Sequence, residues 1–140
     1  MTADLRAQII TEARTWIGTP YHHNAKVKGV GVDCVQFIIA VYDACGLTFV
    51  GDADYPHDWH LHRSEERYLN GVSRYGRKVD QPDPGDLALF KFGRCVSHAG
   101  LVLPDGAGII HSYLGNGVVI SSLTNHRLAG RLHSFWSVIP

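Results

Sequence analysis

The apolar residues of this chain change their period near its middle, and that switch most limits the folds open to it. Leu5, Ile9, Ala13, Trp16 and Ile17 recur at helical spacing until Gly18-Thr19-Pro20, where glycine and proline discourage continuation, so the spacing predicts a first helix of about three to four turns. Val35, Ile38, Ile39 and Tyr42 form a second helical face that ends at Gly46. Beyond the turn signal Pro82-Asp83-Pro84-Gly85 the pattern becomes short apolar runs at 87–92, 99–103, 108–113, 118–122 and 135–139, punctuated by Pro104-Asp105-Gly106 and Asn116-Gly117. Helices first and an antiparallel sheet second indicate α+β. At 140 residues, without internal repeats, the chain reads as a single domain over 1–140.

Acidic and basic residues balance at 13 each, so no broad field attracts nucleic acid or an anionic membrane, and specificity has to come from a local site. The opening Met-Thr-Ala-Asp-Leu-Arg lacks the basic start and apolar run of a secretory signal, and no stretch is long enough to span a bilayer, so synthesis in a cytoplasm is expected. Three cysteines in such a chain read as free thiols.

The loop over 21–32 is rich in glycine and bears histidines, and it delivers Gly31-Val32-Asp33-Cys34 to the start of the second helix. Unpaired N–H groups and the positive dipole end at that place favour thiolate over thiol. A nucleophilic thiolate needs an imidazole to exchange its proton, and that imidazole needs a third group to fix its tautomer. His98 and His111 fall in consecutive strands joined by a tight turn, and can be neighbours across an antiparallel pair. On residue type alone, a cysteine before an apolar helix is more often inert and packed, and a strand histidine more often structural.

Five runs in order carry more information: Trp16-Ile17-Gly18-Thr19-Pro20-Tyr21, Gly31-Val32-Asp33-Cys34, Pro84-Gly85-Asp86-Leu87, Ser97-His98-Ala99-Gly100-Leu101-Val102 and Ile109-Ile110-His111-Ser112. Their order and spacing resemble the motif set of NlpC/P60 peptidases over nearly the whole chain. The stretch Tyr55-Pro56-His57-Asp58-Trp59-His60-Leu61-His62-Arg63 further resembles the subgroup found among tail genes of bacteriophages and gene transfer agents. The resemblance implies a papain-like fold, with the cysteine-bearing helices packed on a five- to six-stranded antiparallel sheet. It implies Cys34 as nucleophile, His98 as general base and His111 as the residue orienting His98. Tyr21, Asp33 and Ser97 match positions that border the substrate, Asp33 helping to hold its amino group. Members of the family cleave amide bonds in peptidoglycan stem peptides, commonly between D-glutamate and diaminopimelate, and need no cofactor. The tail resemblance adds tail or baseplate proteins as partners, and action in the periplasm or wall of a target cell.

The chain departs from the family pattern where Val35-Gln36 stands in place of the usual Ser-Gly after Asp-Cys. Gln36 either supplies a hydrogen bond near the site or lies on the exposed side of the helix. Three other readings remain. Nine histidines, with Cys95-x-x-His98 beside His57, His60 and His62, suggest a zinc hydrolase, although no second Cys/His pair stands at a familiar interval. A tail or wall adaptor keeps the fold without the chemistry. Acyl transfer uses the same site with an amine in place of water. The segment 51–80 is the least legible, with one weaker helical pattern in Tyr68, Leu69, Val72 and Tyr75 behind a Ser64 cap. His22 and His23 are candidates for the cleft wall; Trp16 and Trp136 read as core, and Trp59 as a cleft or partner residue.

Overall fold

The computed structural model describes residues 2–47 and 72–140. Helix α1 (Thr2–Arg14) leads through turns to a two-stranded hairpin, β1 (Lys26–Val27) and β2 (Gly31–Val32), and then to helix α2 (Cys34–Ala44). Residues 72–75 are helical. Six strands follow: β3 (Arg77–Val79), β4 (Leu87–Phe92), β5 (Cys95–Val102), β6 (Ile109–Tyr113), β7 (Gly117–Ser121) and β8 (Leu132–Ser137). They form one antiparallel sheet in the order β3-β8-β4-β5-β6-β7. Helices before a six-stranded antiparallel sheet give the α+β class that the change of period indicates.

Strand alternation divides the core. Leu87, Leu89, Ala99, Leu101 and Ile110 face the helices and pack with Ile9, Phe37, Ile38 and Val41. On the opposite face Ala88, Phe90, Val102 and Ile109 pack under Leu128, from the connection between β7 and β8. Trp16 lies in the first core, edge-on to Phe37 at 6.1 Å, and Trp136 packs against the same cluster, as the helical and strand patterns suggest. Helix α1 ends at Arg14, earlier than the apolar spacing predicts, because Trp16 and Ile17 continue the spacing through successive turns. The loop over 21–32 contains the β1–β2 hairpin, and β8 begins at Leu132, earlier than the last apolar run. Both sets of strands are short or half-exposed, so hydrophobic alternation does not reveal them. The Tyr55–Arg63 resemblance, His57, His60, His62, Trp59 and the Ser64 cap lie outside the described residues.

The motif Pro84-Gly85-Asp86 ties the helices to the sheet. Asp86 is buried, and its carboxylate accepts from the Arg6 guanidinium of α1 at 2.9 Å and from the Asp83 N–H at 2.8 Å. The Pro84 carbonyl accepts from the same Arg6 nitrogen at 2.9 Å, and the Gly85 carbonyl accepts from the Tyr42 hydroxyl of α2 at 2.8 Å. Both helices are thereby fixed against the start of β4, the strand beside the one that carries His98.

Candidate active site

Cys34 is the first residue of α2, and its position depends on the cap before it. Asp33 has extended backbone (φ −96°, ψ −179°), and its Oδ1 accepts from the Gln36 N–H at 2.8 Å, satisfying one of the unpaired donors of the first turn. Its Oδ2 accepts from the Asn24 N–H at 2.6 Å, which requires Asn24 to bend back in the left-handed region (φ 60°). Asp33 is fully buried, so the carboxylate matched to a substrate-holding role is occupied in fixing the start of α2 and the loop beside it.

The thiol meets β5 beside His98. Cys34 Sγ lies 3.7 Å from the Ser97 carbonyl oxygen, and the backbone N–H of Ala99 is directed at the sulfur. These groups belong to the two residues flanking His98. Here β5 and β6 pair only at Leu101↔Ile110 and Val102↔Ile109, and the thiol occupies the edge of β5 beyond that ladder. Extending the register sets His111 opposite Gly100 and one diagonal step from His98. A Cβ on Gly100 would stand 2.7 Å from Ile109 Cδ1 and 3.2 Å from His111 Cβ, so the glycine gives β6 the room to bring its histidine across.

His98 Nε2 and His111 Nδ1 are 2.6 Å apart, and His111 Nε2 is 2.9 Å from Ser121 Oγ on β7. Phe90, Phe92 and Tyr113 surround the His98 ring with centroids 5.8, 5.8 and 5.5 Å away. This enclosure governs protonation. Burial, with His111 as a second cause, holds the His98 imidazole well below its ordinary range, and burial holds His111 down to about 4. Burial pushes the Cys34 thiol well up, Asp33 adding to it, against backbone N–H groups of Val35, Ala99 and Cys34 that act in the other direction. The helix start alone suggests a resting thiolate. In the folded protein desolvation outweighs the dipole, and thiol and imidazole both rest neutral.

Tyr21 forms a parallel bridge with Val32, and its phenol is kept un-ionised by burial and by Cys34 and Asp33 nearby. Cys34, His98, His111, Tyr21, Asp33 and Ser97 are thus gathered around the junction of α2 and β5. Ser97 contributes its carbonyl to the thiol. Gln36 is buried, and its side-chain amide donates to Asn24 Oδ1 at 3.3 Å, so it braces the cap and does not lie on the exposed side of the helix. The His22 ring packs on Gly31 at the hairpin, where a Cβ would stand 2.6 Å from the ring. Phe90, Phe92, Tyr113, Asn24 and Ser121 belong to the site by register and by a turn, and their types alone give no signal of it.

Cys95 is buried in the core, and among the described residues no group of three or more His, Cys, Asp or Glu side chains could hold a metal. No helix among them is long and apolar enough to cross a membrane.

A thiol at a helix start, packed on an antiparallel sheet that carries paired imidazoles, defines the papain-like α+β class. The NlpC/P60 family model matches residues 18–137, and the chain belongs to that family. It is 27% identical over 115 residues to the probable endopeptidase p60 of Listeria grayi, covering 82% of this chain but 19% of that protein, so it spans about a fifth of that relative. The NlpC/p60 domain of the peptidoglycan hydrolase SagA superposes with a TM-score of 0.67 at 23% identity, covering 94% of this chain and 97% of that one. RipD of Mycobacterium tuberculosis, described as a non-catalytic NlpC/p60 domain protein adapted to peptidoglycan binding, superposes with a TM-score of 0.61 at 18% identity, covering 94% and 95%. At these identities the two structures show the shared fold.

Proposed function

We propose that this chain is a cell-wall endopeptidase that cleaves an amide bond in peptidoglycan stem peptides with Cys34, His98 and His111. The observation that carries the reading is that the Cys34 thiol packs 3.7 Å from the carbonyl of Ser97, the residue before His98, while His98 Nε2 stands 2.6 Å from His111 Nδ1. A scaffold has no physical need for a thiol and two buried imidazoles in register.

His98 Nε2 is engaged by His111, so its Nδ1 takes the thiol proton as Cys34 Sγ attacks the scissile carbonyl. Because both groups rest neutral, the proton moves as the thiol attacks, and the water that bound substrate excludes strengthens each interaction in the site. The Cys34 backbone N–H faces the oxyanion that forms, and the un-ionised Tyr21 phenol is the second donor. The proton on His98 passes to the leaving amine, and water, activated by the same imidazole, hydrolyses the thioester; an amine in its place would make the reaction a transfer. The bond favoured by family resemblance joins D-glutamate to diaminopimelate, and the resemblance of the Tyr55–Arg63 stretch favours delivery on a phage-like tail to the wall of a target cell.

A second reading, a wall-binding adaptor, is favoured by the likeness to RipD and by Val35-Gln36 in place of Ser-Gly. The two separate when purified protein and its Cys34→Ala form are incubated with peptidoglycan and the released fragments are weighed by mass spectrometry. New stem-peptide termini from the wild type alone support the peptidase; binding by both forms without new termini supports the adaptor.

A further inference from the structure

Beyond His111, on the side away from His98, lies a cavity of about 250 Å³ lined by His111, Tyr113, Ser121, Asn125, His126 and Arg127 among others, none of them acidic. The exposed Arg127 guanidinium donates to Asn116 Oδ1 at 2.8 Å and lies 5.6 Å over the Tyr113 ring, which holds it at the cavity rim. Among the described residues no carboxylate pairs with it. The cavity wall therefore offers a fixed cation, amides, two imidazoles and two hydroxyls, a set suited to an anion.

The hydroxyl matters because of proton polarity along the line of side chains. If His98 Nδ1 is to accept a proton, its Nε2–H donates to His111 Nδ1. His111 must then carry its proton on Nε2 and donate it to Ser121 Oγ. Ser121 is consequently an acceptor from His111, and its own O–H turns away. If Ser121 instead donated to His111, every bond in the line would reverse and His98 Nδ1 would hold a proton and be no base. No protein acceptor for the Ser121 O–H stands among the described side-chain bonds, whereas the cavity lies beside it.

We propose that this cavity is a carboxylate subsite, and that a substrate carboxylate held by Arg127 accepts the Ser121 O–H and so fixes the relay in the polarity that leaves His98 a base. Ser121 is a positioning residue acting through His111. The inference rests on the peptidase reading for its substrate, and its test is divided so that the two fail separately.

The first arm needs no cleavage. The Cys34→Ala protein labelled with ¹⁵N-histidine is titrated with sodium acetate, against sodium chloride at equal ionic strength. Acetate is expected to move the His111 and His98 ring nitrogens toward the tautomer with both Nε2 atoms protonated, and the Arg127→Gln form is expected not to respond. No response without the Arg127 change, or an equal response with it, overturns the proposal.

The second arm measures turnover of a stem peptide and of the same peptide with its carboxylates amidated. Arg127→Gln is expected to raise KM for the first by roughly tenfold or more and to leave the amidated peptide unaffected, Arg127→Lys restoring part of the loss. Ser121→Ala is expected to lower kcat and Ser121→Thr to restore it. Equal use of both peptides by the wild type and by Arg127→Gln overturns the subsite. If the wild type cleaves neither peptide, the peptidase reading fails and the acetate titration alone decides the cavity.

Discussion

Replacing Asp33 with asparagine removes a buried charge while keeping the side chain's size, and its two consequences run in opposite directions. The carboxylate accepts backbone N–H groups from Gln36 at 2.8 Å and Asn24 at 2.6 Å. An amide keeps one acceptor oxygen and turns an NH₂ toward the other donor, so one N–H, buried at Gln36 or partly buried at Asn24, loses its partner at a cost of about 1–3 kcal/mol. For 140 residues the unfolding entropy is about 0.3 kcal/mol/K, and the melting temperature should fall by roughly 3–10 °C. The thiol responds the other way. Asp33 is the second cause, after burial, of the raised Cys34 pKa, and removing its charge moves that pKa down. Iodoacetamide labelling of Cys34, followed by peptide mass spectrometry well below the melting transition, should therefore be faster in Asp33→Asn than in wild type at the same pH, despite the lower stability. Labelling that is equal or slower would refute the claim that the cap suppresses the thiolate.

Two further outcomes follow from buried groups. His111 titrates near 6.5 when unfolded and at about 4 when folded, so between those values the unfolded chain holds more protons; stability is full above about 6.5 and is lost as pH falls toward 4. That loss is on the order of 3 kcal/mol for His111, with His98 acting in the same sense, and melting curves from pH 7 to 4 should fall less steeply for His111→Asn than for wild type. Asp86→Ala leaves the Arg6 guanidinium and the Asp83 N–H without their carboxylate, and should destabilise by about 3–5 kcal/mol, roughly 10–17 °C in melting temperature; a change under about 3 °C would sink the anchoring role of Pro84-Gly85-Asp86.

Much of the site is legible before folding because its chemistry is written in local order. Gly31-Val32-Asp33-Cys34 before an apolar run places the thiol at a helix start, which is a property of a few adjacent residues, whereas the capping role of Asp33 is seen only in the structure. The change from helical to strand period yields the α+β class, since each period follows from backbone geometry alone. His98 and His111 are readable as candidates because they fall in consecutive strand segments joined by a tight turn, within runs that resemble the family's motifs. The short edge strand β3 and the β1–β2 hairpin escape because strands of two or three residues are too short to leave a pattern.

What tertiary structure alone decided concerns register and burial. The diagonal that joins His98 to His111, and His111 to Ser121, depends on how far β6 slides against β5 and β7, and on Gly100 leaving room for it. The protonation of the pair is likewise a collective property. A helix start favours thiolate in isolation, yet enclosure by Phe90, Phe92 and Tyr113 and the buried charge of Asp33 hold thiol and imidazole neutral, because desolvation depends on every residue that excludes water and not on the neighbours in the chain. The sequence by itself determined which groups are present and in what order, through local backbone preferences; the packed fold determined which of them touch and where their protons rest, since those depend on distances between strands far apart in the chain.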